Sequence, residues 1–460
     1  MRVLYQNTLF SASGALSIFI LEVSMNLIES YRSFLDKGKT ERECVKEIIK
    51  LAEKEGYRNI ESTDKLHAGD KVYYVQYGKS IALFNIGKDD IENGMNILGA
   101  HIDSPRLDVK MNPVYENENV VYLDTHYYGG IKKYQWVTLP LAIHGTIAKK
   151  DGTSIEICIG EDDERTFCIS DILPHMAQEQ MKKNASEFIQ GEDLDLVIGL
   201  NQDEKGEKDA GKKKILDILL EEFGIDEKDF QSAELEVVPQ GYSKYLGFDR
   251  SMILAYGQDD RVCAFTSLAA MLANKEAERT SCCLLVDKEE IGSNGATGMD
   301  SVFFENASAE LLSRLSGYDG LKLRRMMRNS YMLSSDVNAA FDPLNPGLYD
   351  KKNASVLGGG VVFNKYTGSR GKAGASDANA EFIAKLRNTM DSHSVKYQMS
   401  EMGKVDTGGG GTIAKYAAYY GMQVIDCGVA VLSMHSPWEI TAVSDVEDAA
   451  ACYKAFLSMK

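Results

Sequence analysis

The sequence predicts an α/β fold, with a mostly parallel or mixed β-sheet that is flanked by helices. The first observation is a set of short apolar runs between helical patterns, which is typical of strands buried on both faces. These runs are Asn96–Ala100, Cys282–Val286, Tyr331–Ser335 and Val429–Met434. The second observation is that each run is followed at once by an acidic or imidazole side chain. The third is the length of 460 residues, which predicts two domains rather than one core.

Possible metal ligands stand at or near the ends of these runs. They are His101, Asp259, Glu290, Asp336 and His435, and Glu289 lies directly beside Glu290. Asp259 differs from the others because it opens an apolar helical stretch, where a helix N-terminus favours the charged carboxylate. Since sites in parallel sheets form at the carboxyl ends of the strands, we expect these side chains to converge.

Two histidines and three carboxylates can hold two divalent ions that share one bridging carboxylate, and a further Glu is then left as a base. Each residue alone has a simpler interpretation. A single His after a strand is usually a satisfied loop residue, adjacent acids usually form a solvated turn, and Asp259 could cap a helix. Their recurrence at the ends of four strands favours the two-metal site.

Composition narrows the classes of partner. The net charge is −17, from 51 basic and 68 acidic residues, which argues against nucleic acid as a partner and for a self-repelling surface. Hydrophobic residues make up 44% of the chain, as in globular proteins. Because the net charge is negative, binding of an acidic substrate would need a locally basic pocket.

Cysteine usage and the N-terminal segment bear on the cellular compartment. The eight cysteines form no CxxC pair, so we expect neither structural zinc nor a disulfide framework, and a reducing cytoplasm fits. The apolar stretch Leu9–Leu21 loosely resembles a signal peptide but is too short and Ser-rich to span a membrane. We expect it to be a packed helix or strand, and no other segment to cross a membrane.

Local signals predict the first elements of the chain. Thr40–Ala52 is a helix that opens with a capping box between Thr40 and Glu43. Lys71–Tyr77 and Ser80–Ile86 form a hairpin around Gly78-Lys79. Both elements precede the first possible metal ligand.

A long insertion is predicted between His101 and Asp259, because 158 positions far exceed a βα crossover. Its apolar or alternating runs indicate antiparallel strands at Val120–Leu123, Leu139–Ile147 and Ser154–Ile159. After them we expect a polar mobile loop at Asn201–Lys213, a helix at Lys214–Phe223 closed by Gly224, and a strand at Glu234–Val238 that returns toward the ligand-bearing sheet. The predicted domains are a catalytic domain of residues 1–107 and 234–460 and an inserted β-rich domain of residues 108–233.

Two glycine-rich segments, Leu357–Gly360 and Gly408–Gly411, let backbone N–H groups approach a ligand closely. Neither matches a P-loop or a dinucleotide fingerprint. The first is equally consistent with a plain loop. For the second we expect Gly409 and Gly410 to form a backbone cradle for a substrate carbonyl, because a helix follows them.

Four motifs resemble those of the aspartyl aminopeptidases, which are di-zinc exopeptidases. The motifs are Gly99–Leu107, Glu289–Ser293, Ser335-Asp336 and Leu432–Ser436. Their order, their spacing and the long insertion all match, so the resemblance covers nearly the whole chain after about Leu27 and identifies a bacterial member. It implies a fold of the zinc-exopeptidase type in which the inserted domain drives dimerisation.

The resemblance also implies a role for each candidate residue. His101 and Asp336 would hold one ion, Glu290 and His435 the other, and Asp259 would bridge them. Asp103 would orient the His101 ring, and Glu289 would be the general base. The two divalent ions would be zinc, with cobalt or manganese as alternatives.

Substrates and partners follow from the same resemblance. The substrate is a peptide with a free N-terminus, often an acidic one, and dimers assemble into a tetrahedral dodecamer. The sequence departs from the family at positions that bear on substrate specificity. Family members often have histidines at three positions where this chain has Ala339, Asp342 and Glu179. His175 is a candidate replacement that would reach a neighbouring subunit. Further candidates for binding an acidic side chain are Lys365, Arg370 and Lys372.

Three other interpretations are compatible with parts of this pattern. An N-acyl amino acid deacylase could use the same ligands on a different leaving group. A self-assembling scaffold or binding particle could have secondary catalysis, although it need not keep the base and all five ligands. A calcium-binding protein is disfavoured because histidine ligands suit zinc, cobalt or manganese.

Overall fold

The computed structural model describes residues 26–161, 164–202 and 207–460. The segment Leu9–Leu21, expected to pack as a helix or strand, lies outside these residues. Ten α-helices are found in the described part of the chain: α1 (26–37), α2 (Glu41–Lys54), α3 (Ala185–Phe188), α4 (Ala210–Phe223), α5 (Gln258–Ala273), α6 (Phe303–Ser316), α7 (Gly320–Arg328), α8 (Ala380–Ser392), α9 (Ala414–Tyr419) and α10 (Val443–Leu457). None of these described helices is both long and apolar enough to cross a bilayer.

The strands form three sheets. The first ten are β1 (Arg58–Asn59), β2 (Lys71–Gln76), β3 (Ser80–Asn85), β4 (Met95–His101), β5 (Arg106–Asn117), β6 (Val120–Tyr128), β7 (Leu141–Ala148), β8 (Ser154–Ile159), β9 (Leu196–Leu200) and β10 (Ala233–Pro239). The others are β11 (Lys244–Leu246), β12 (Met252–Ala255), β13 (Thr280–Val286), β14 (Tyr331–Ser335), β15 (Asn338–Ala339), β16 (Val361–Asn364), β17 (Tyr397–Ser400), β18 (Gln423–Gly428), β19 (Ala430–Leu432) and β20 (Glu439–Ala442).

The largest sheet has nine strands in the order β1-β2-β3-β13-β4-β14-β18-β16-β17. Its centre, β13-β4-β14-β18, is parallel, whereas β3 and β16 join it antiparallel. Every residue of β4 is buried, because α1, α2, α5, α8 and α10 cover one face and α6, α7 and α9 the other. This mixed sheet between helices confirms the predicted fold class.

The second sheet is antiparallel and runs from Arg106 to Pro239, in the order β8-β7-β10-β5-β6-β9. It has its own apolar core around the fully buried Trp136, and α4 packs on it. The predicted strands at Val120–Leu123, Leu139–Ile147 and Ser154–Ile159 are confirmed within β6, β7 and β8.

Two local predictions inside this region were wrong in part. The helix expected to start at Lys214 starts at Ala210, so the end of the expected Asn201–Lys213 loop is helical. The strand expected to return toward the ligand-bearing sheet is β10, and it pairs instead with β5 and β7. Leu235 and Val237 are buried in the apolar core of the second sheet, which explains this partnership.

The third sheet has five short strands in the order β11-β12-β20-β19-β15. It contains β19, which precedes His435, so the expectation that four strands of one parallel sheet deliver the ligands was wrong for the fourth. The chain leaves the large sheet at the end of β18, and Val431 then pairs with Ala339 of β15 and Thr441 of β20. The apolar run alone does not distinguish these two sheets.

The predicted local motifs are present. The Thr40 side chain accepts a hydrogen bond from the Glu43 N–H at 3.2 Å, and the Glu43 carboxylate accepts one from the Thr40 N–H at 3.1 Å, which confirms the capping box. The hairpin of β2 and β3 turns at Gly78, and Gly224 ends α4 with a φ of +67°. The first glycine-rich segment is structural, because Gly358 and Gly360 donate backbone hydrogen bonds to the carboxylate of Asp445.

Candidate metal centre

The large sheet supplies four of the six candidate side chains, at the carboxyl ends of its central strands. His101 is the last residue of β4, and Asp336 directly follows the adjacent parallel strand β14. Glu289 and Glu290 form a tight turn that begins three residues after β13, which is the other parallel neighbour of β4. Because parallel neighbours end at the same edge of a sheet, these side chains meet there.

The five-stranded sheet supplies the other two. Asp259 lies in a non-helical first turn of α5, shortly after β12, and the preceding Gly257 has a φ of +68°. A Cβ at Gly257 would lie 1.8 Å from Nη1 of the buried Arg261, and the positive φ is strained for other residues, so the position favours glycine. His435 follows β19 with a φ of +64°, an uncommon conformation for a residue with a side chain.

Asp259 lies between the two histidines. Its Oδ1 atom is 3.3 Å from Nε2 of His101, and its Oδ2 atom is 3.3 Å from Nε2 of His435. Each histidine also faces a second acid. Oδ1 of Asp336 is 4.0 Å from His101 Nε2, and Oε2 of Glu290 is 3.4 Å from His435 Nε2. The cluster therefore has two halves that share one carboxylate.

Glu289 adjoins the His101 half. Its Oε2 atom is 4.0 Å from His101 Nε2, and its side chain is 17% exposed, so it is open to a substrate. Two overlapping trios offer ligand atoms within 4.8 Å of one another: His101, Glu289 and Asp336, and His101, Asp259 and Glu290. The structure thus brings together all six side chains of the sequence-predicted cluster.

Buried carboxylates hold the backbone of this cluster. Asp103 accepts hydrogen bonds from the N–H groups of Glu289 at 3.1 Å and Glu290 at 3.2 Å. Its Oδ1 atom is also 3.3 Å from Nδ1 of His101. Glu439 accepts in the same way from the N–H groups of Asp259 at 3.0 Å and His435 at 2.8 Å.

Two groups at and just after the end of β6 also reach the cluster. The hydroxyl of Tyr128 donates a hydrogen bond to Oδ2 of Asp103 at 2.8 Å. The carbonyl oxygen of Gly130 lies 2.9 Å from Nδ1 of His435. Metal-binding histidines usually have such a partner on the second ring nitrogen, because it orients the ring.

Negative charge dominates the electrostatics. Burial raises the pKa of Glu289 to about 7, and burial together with Asp259 raises the pKa of Glu290 well above its usual value. Burial lowers the pKa of His435, but contacts with Asp259 and Glu290 outweigh it and raise that pKa to about 10. The protein groups alone therefore retain protons that bound cations would displace.

The donor set fits divalent ions. No hydrogen-bond donor among the described residues is placed to satisfy the buried Oδ1 of Asp259 or Oε1 of Glu290. Buried carboxylate oxygens without a donor are rare and costly, and a cation would satisfy them. Imidazole and carboxylate together suit zinc, cobalt and manganese.

A cavity of about 350 Å³ opens on this cluster. Gly409 and Gly410 line it, as does the Glu289-Glu290 turn. Gly409 has a φ of +131°, and a Cβ there would lie 2.2 Å from the carbonyl oxygen of Gly368, so the segment needs glycine. The second glycine-rich segment therefore lies in the wall of the cavity at the cluster.

Two candidate substrate-binding residues lie away from this cavity. His175 is exposed in the part of the chain built on the second sheet, here called the second lobe, and Lys365 is exposed and does not line the cavity. The lysine that does line it is Lys415, at the start of α9. Arg370 and Lys372 line a second cavity of about 250 Å³, and Met402 lines both cavities.

Sequence reasoning missed several residues of the site. They are Tyr128, Gly130, Lys415, Tyr416 and Glu439. Lys415 had a usable signal, because it stands four residues after the glycine run at a helix start. Glu439 had one too, as an acid that opens an apolar strand four residues after His435. The other three carry no local signal that separates them from ordinary strand or helix residues.

Comparison with known proteins gives consistent matches along the chain. The family described as Aminopeptidase I zinc metalloprotease (M18) matches residues 34–457. A probable M18 family aminopeptidase 1 of Clostridium acetobutylicum is 57% identical over 436 residues, which is 94% of each chain. The crystal structure of an M18 family aminopeptidase from Thermotoga maritima has a TM-score of 0.91 and 43% identity, covering 95% of this chain and 97% of that one.

Two further solved structures share this fold. The crystal structure of aminopeptidase I from Clostridium acetobutylicum has a TM-score of 0.87 and 56% identity, covering 93% of this chain and 94% of that one. The mApe1 dodecamer of S. cerevisiae has a TM-score of 0.75 at 22% identity, with 95% and 97% coverage.

Proposed function

The chain belongs to the M18 family of zinc metallo-aminopeptidases, and we propose that it removes N-terminal residues from peptides by hydrolysis at a pair of divalent ions. The observation that carries the proposal is Asp259, whose two oxygens each lie 3.3 Å from a different histidine. A carboxylate in that position is suited to bridging two ions. The family match supports a peptide substrate over the N-acyl amino acids of a deacylase.

We assign the ligands from the two halves of the cluster. His101 and Asp336 hold one ion, and Glu290 and His435 hold the other, while Asp259 bridges them. Zinc is the ion that the family description supports, with cobalt or manganese as alternatives. When bound, two such ions supply Lewis acidity, which favours ionisation of water and polarises a peptide carbonyl.

Glu289 is the proposed general base. It removes a proton from the attacking water and passes it to the leaving amine of the first peptide bond. Its carboxylate is partly exposed toward the cavity, and the hydrogen bond from its N–H to Asp103 fixes the turn that carries it. Asp103 itself positions the turn and the His101 ring and contacts no substrate atom in this assignment.

Gly409 and Gly410 are proposed to hold the substrate backbone. They line the same cavity as the acidic cluster, and the close approach of Gly368 leaves no room for a side chain at Gly409. Backbone N–H groups in such a segment stabilise the negative charge that develops on the carbonyl oxygen.

We propose that Lys415 contributes to any preference for N-terminal Asp or Glu. It is the lysine in the cavity lining, and it stands near the end of the glycine segment. Lys365 is the competing candidate from the sequence. Lys415→Gln should lower kcat/KM for peptides that begin with Asp or Glu relative to peptides that begin with Ala. Lys365→Gln should leave this ratio unchanged. The reverse result would indicate that Lys365, and not Lys415, binds the acidic side chain.

The proposed assembly is a homo-oligomer built from dimers, of the tetrahedral dodecamer type. The related mApe1 dodecamer has the same fold, and the lobe built on the second sheet exposes an apolar segment suited to a contact between copies. Its exposed side chains are Ile172, Leu173, Met176 and Met181, which flank His175. In this arrangement residues 108–233 form the dimerisation domain, and His175 reaches a neighbouring subunit's cavity.

Eight free cysteines support a cytoplasmic location.

The first experiment is a hydrolysis panel of unblocked dipeptides and aminoacyl anilides, run with Zn²⁺, Co²⁺ or Mn²⁺ and again with a chelator. Metal-dependent release of the N-terminal residue from unblocked peptides, but not from N-acetylated ones, is expected. Fastest cleavage after neutral N-terminal residues would support the aminopeptidase activity and contradict a preference for N-terminal Asp or Glu. Cleavage of only N-acylated substrates would favour the deacylase.

Metal content tests the two-ion assignment independently of turnover. Elemental analysis of the loaded protein should find two ions per chain. Asp259→Asn should lose both, because it removes the shared ligand, whereas Asp336→Asn should retain one. Equal losses in the two variants would contradict the assignment of Asp259 as the bridge.

A further inference from the structure

We propose that Tyr128 is a positioning residue of the metal centre, which acts from the second lobe by holding the carboxylate of Asp103. The inference rests on the ligand assignment proposed above. Tyr128 ends β6 in the second sheet, and its side chain is only 8% exposed. Its hydroxyl donates to Oδ2 of Asp103 at 2.8 Å.

Asp103 connects both parts of the His101 half. Its Oδ1 atom lies 3.3 Å from His101 Nδ1 and accepts the N–H of Glu289. Its Oδ2 atom accepts the N–H of Glu290 as well as the Tyr128 hydroxyl. His101 Nδ1 also lies 3.0 Å from the carbonyl oxygen of Asp103, so the backbone of this residue helps to hold the ring. A rotation of the carboxylate would therefore move the turn of Glu289 and Glu290 and change the second contact to the His101 ring. The hydroxyl of Tyr128 is the side-chain donor that opposes such a rotation.

The ring of Tyr128 is held independently of its hydroxyl. The guanidinium of Arg106 stacks 3.9 Å from the ring centroid, and Arg106 is itself paired with Asp108 at 2.9 Å and Glu236 at 3.1 Å. Replacement of Tyr128 by Phe should leave this stack in place. The variant therefore removes one hydrogen bond to Asp103 and little else.

A second contact from the same segment supports the inference. Two residues after Tyr128, the carbonyl oxygen of Gly130 lies 2.9 Å from His435 Nδ1. A Cβ at Gly130 would lie 3.2 Å from that nitrogen, so the backbone packs directly on the imidazole. The end of β6 thus supports both halves of the cluster. The second lobe is part of the metal site as well as a candidate surface for assembly.

The test compares the wild type, Tyr128→Phe and a matched control, Tyr127→Phe, at an exposed neighbour on the same strand. Ion affinities are measured by competition with a zinc chelator, and kcat and KM on an unblocked dipeptide. Tyr128→Phe should weaken at least one Zn²⁺ site about 10-fold, the usual scale for the partner of a ligand. It should lower kcat with KM nearly unchanged, and Tyr127→Phe should match the wild type. An affinity within twofold of the wild type for Tyr128→Phe overturns the proposal.

A double-variant comparison separates positioning from general stability. If Tyr128 acts through Asp103, Tyr128→Phe should cause no further loss of Zn²⁺ affinity in an Asp103→Ala background, which has no side-chain oxygen to accept the hydroxyl, whereas additive losses overturn the proposal. Unfolding of the chelated proteins shows whether the fold is intact. If the wild type itself binds fewer than two ions, the two-metal assignment fails. If it binds two and Tyr128→Phe is unchanged, only the role of Tyr128 fails.

Discussion

The backbone N–H of Asp259 donates a hydrogen bond to Oε2 of Glu439 at 3.0 Å. The other carboxylate oxygen of Glu439 accepts the N–H of His435 at 2.8 Å. One buried side chain therefore ties the proposed bridging ligand to a ligand of one metal. Since Glu439 opens β20 and Asp259 follows the paired strand β12, the five-stranded sheet sets the spacing of these two residues.

Glu439→Gln should weaken metal binding, because the amide nitrogen of Gln cannot accept an N–H and one of the two hydrogen bonds is lost. We expect about 10-fold lower Zn²⁺ affinity at one site and a loss of about 1–3 kcal/mol in the unfolding free energy of the chelated protein. Chelator competition and urea unfolding measure these quantities. Glu381→Gln, at an exposed acid on α8, serves as the control. Wild-type affinity in Glu439→Gln would show that no carboxylate is needed there.

Glu289→Gln should retain both ions and lose turnover. The amide cannot take a proton from water, so kcat is expected to fall by at least about 10²-fold. Elemental analysis and steady-state kinetics are measured on the same metal-loaded sample. Glu276→Gln changes an acid whose side chain is 80% exposed and should behave as the wild type. Near-normal turnover in the loaded Glu289→Gln protein would remove Glu289 as the base.

The stability of the contact between the two lobes should depend on pH through His144. This residue on β7 lies 2.8 Å from Glu43 and 3.0 Å from Glu161, and Lys39 also pairs with Glu161. Burial lowers the pKa of His144, but Cys158, Glu161 and Glu43 together raise it to about 11. A raised folded-state pKa stabilises the fold fully below the ordinary value of 6.5, and this contribution is lost as pH rises toward about 11.

His144→Gln should therefore lower the unfolding midpoint most below about pH 6.5, and its difference from the wild type should shrink as pH rises to 10. Urea unfolding of the chelated protein at five pH values measures this difference. His67→Gln, at an exposed histidine, shows the effect of removing an imidazole that is not buried. A difference that is constant with pH would exclude a charged His144.

Gly428→Ala should disturb the metal site through the backbone. A Cβ at Gly428 would lie 1.9 Å from the carbonyl oxygen of Asp336 and 3.1 Å from the Cys263 sulfur, so the strand carrying Asp336 must move. We expect a cost of about 1–3 kcal/mol in unfolding free energy and weaker Zn²⁺ binding. Gly347→Ala is the control, because nothing lies within 4 Å of a Cβ there. Equal stability of the two variants would contradict the packing argument.

Much of the large sheet could be predicted from local pattern. The runs that became β4, β13 and β14 are buried on both faces, so nearly every position is apolar and the strand ends are sharp. The ligands were visible because His101 and Asp336 directly follow such runs and Glu290 lies four residues after one. The capping box at Thr40 was visible for the same local reason.

The site was less predictable where partners are distant in sequence. β19 carries the same apolar signal as the strands of the large sheet, yet its pairing with β15 and β20 places it in another sheet. Tyr128 lies 25 residues from Asp103 and at the end of a strand of the second sheet, whereas Asp103 follows a strand of the large sheet, so no spacing rule connects them. The sequence around Lys365 and Lys415 does not show which lysine lines the cavity. Only the packing of the folded chain places Lys415 there.

The sequence by itself determined the fold class, the acidic and imidazole groups that converge, and membership in the metallo-aminopeptidase family. These depend on residue types and on periodicities within a few positions, which are local properties of the chain. Only the tertiary structure decided which oxygen of Asp259 faces which histidine, that Asp103 and Glu439 hold the backbone of the cluster, and that the second lobe reaches the site through Tyr128 and Gly130. These relations arise where three sheets meet, and the contacts there depend on how the sheets pack together.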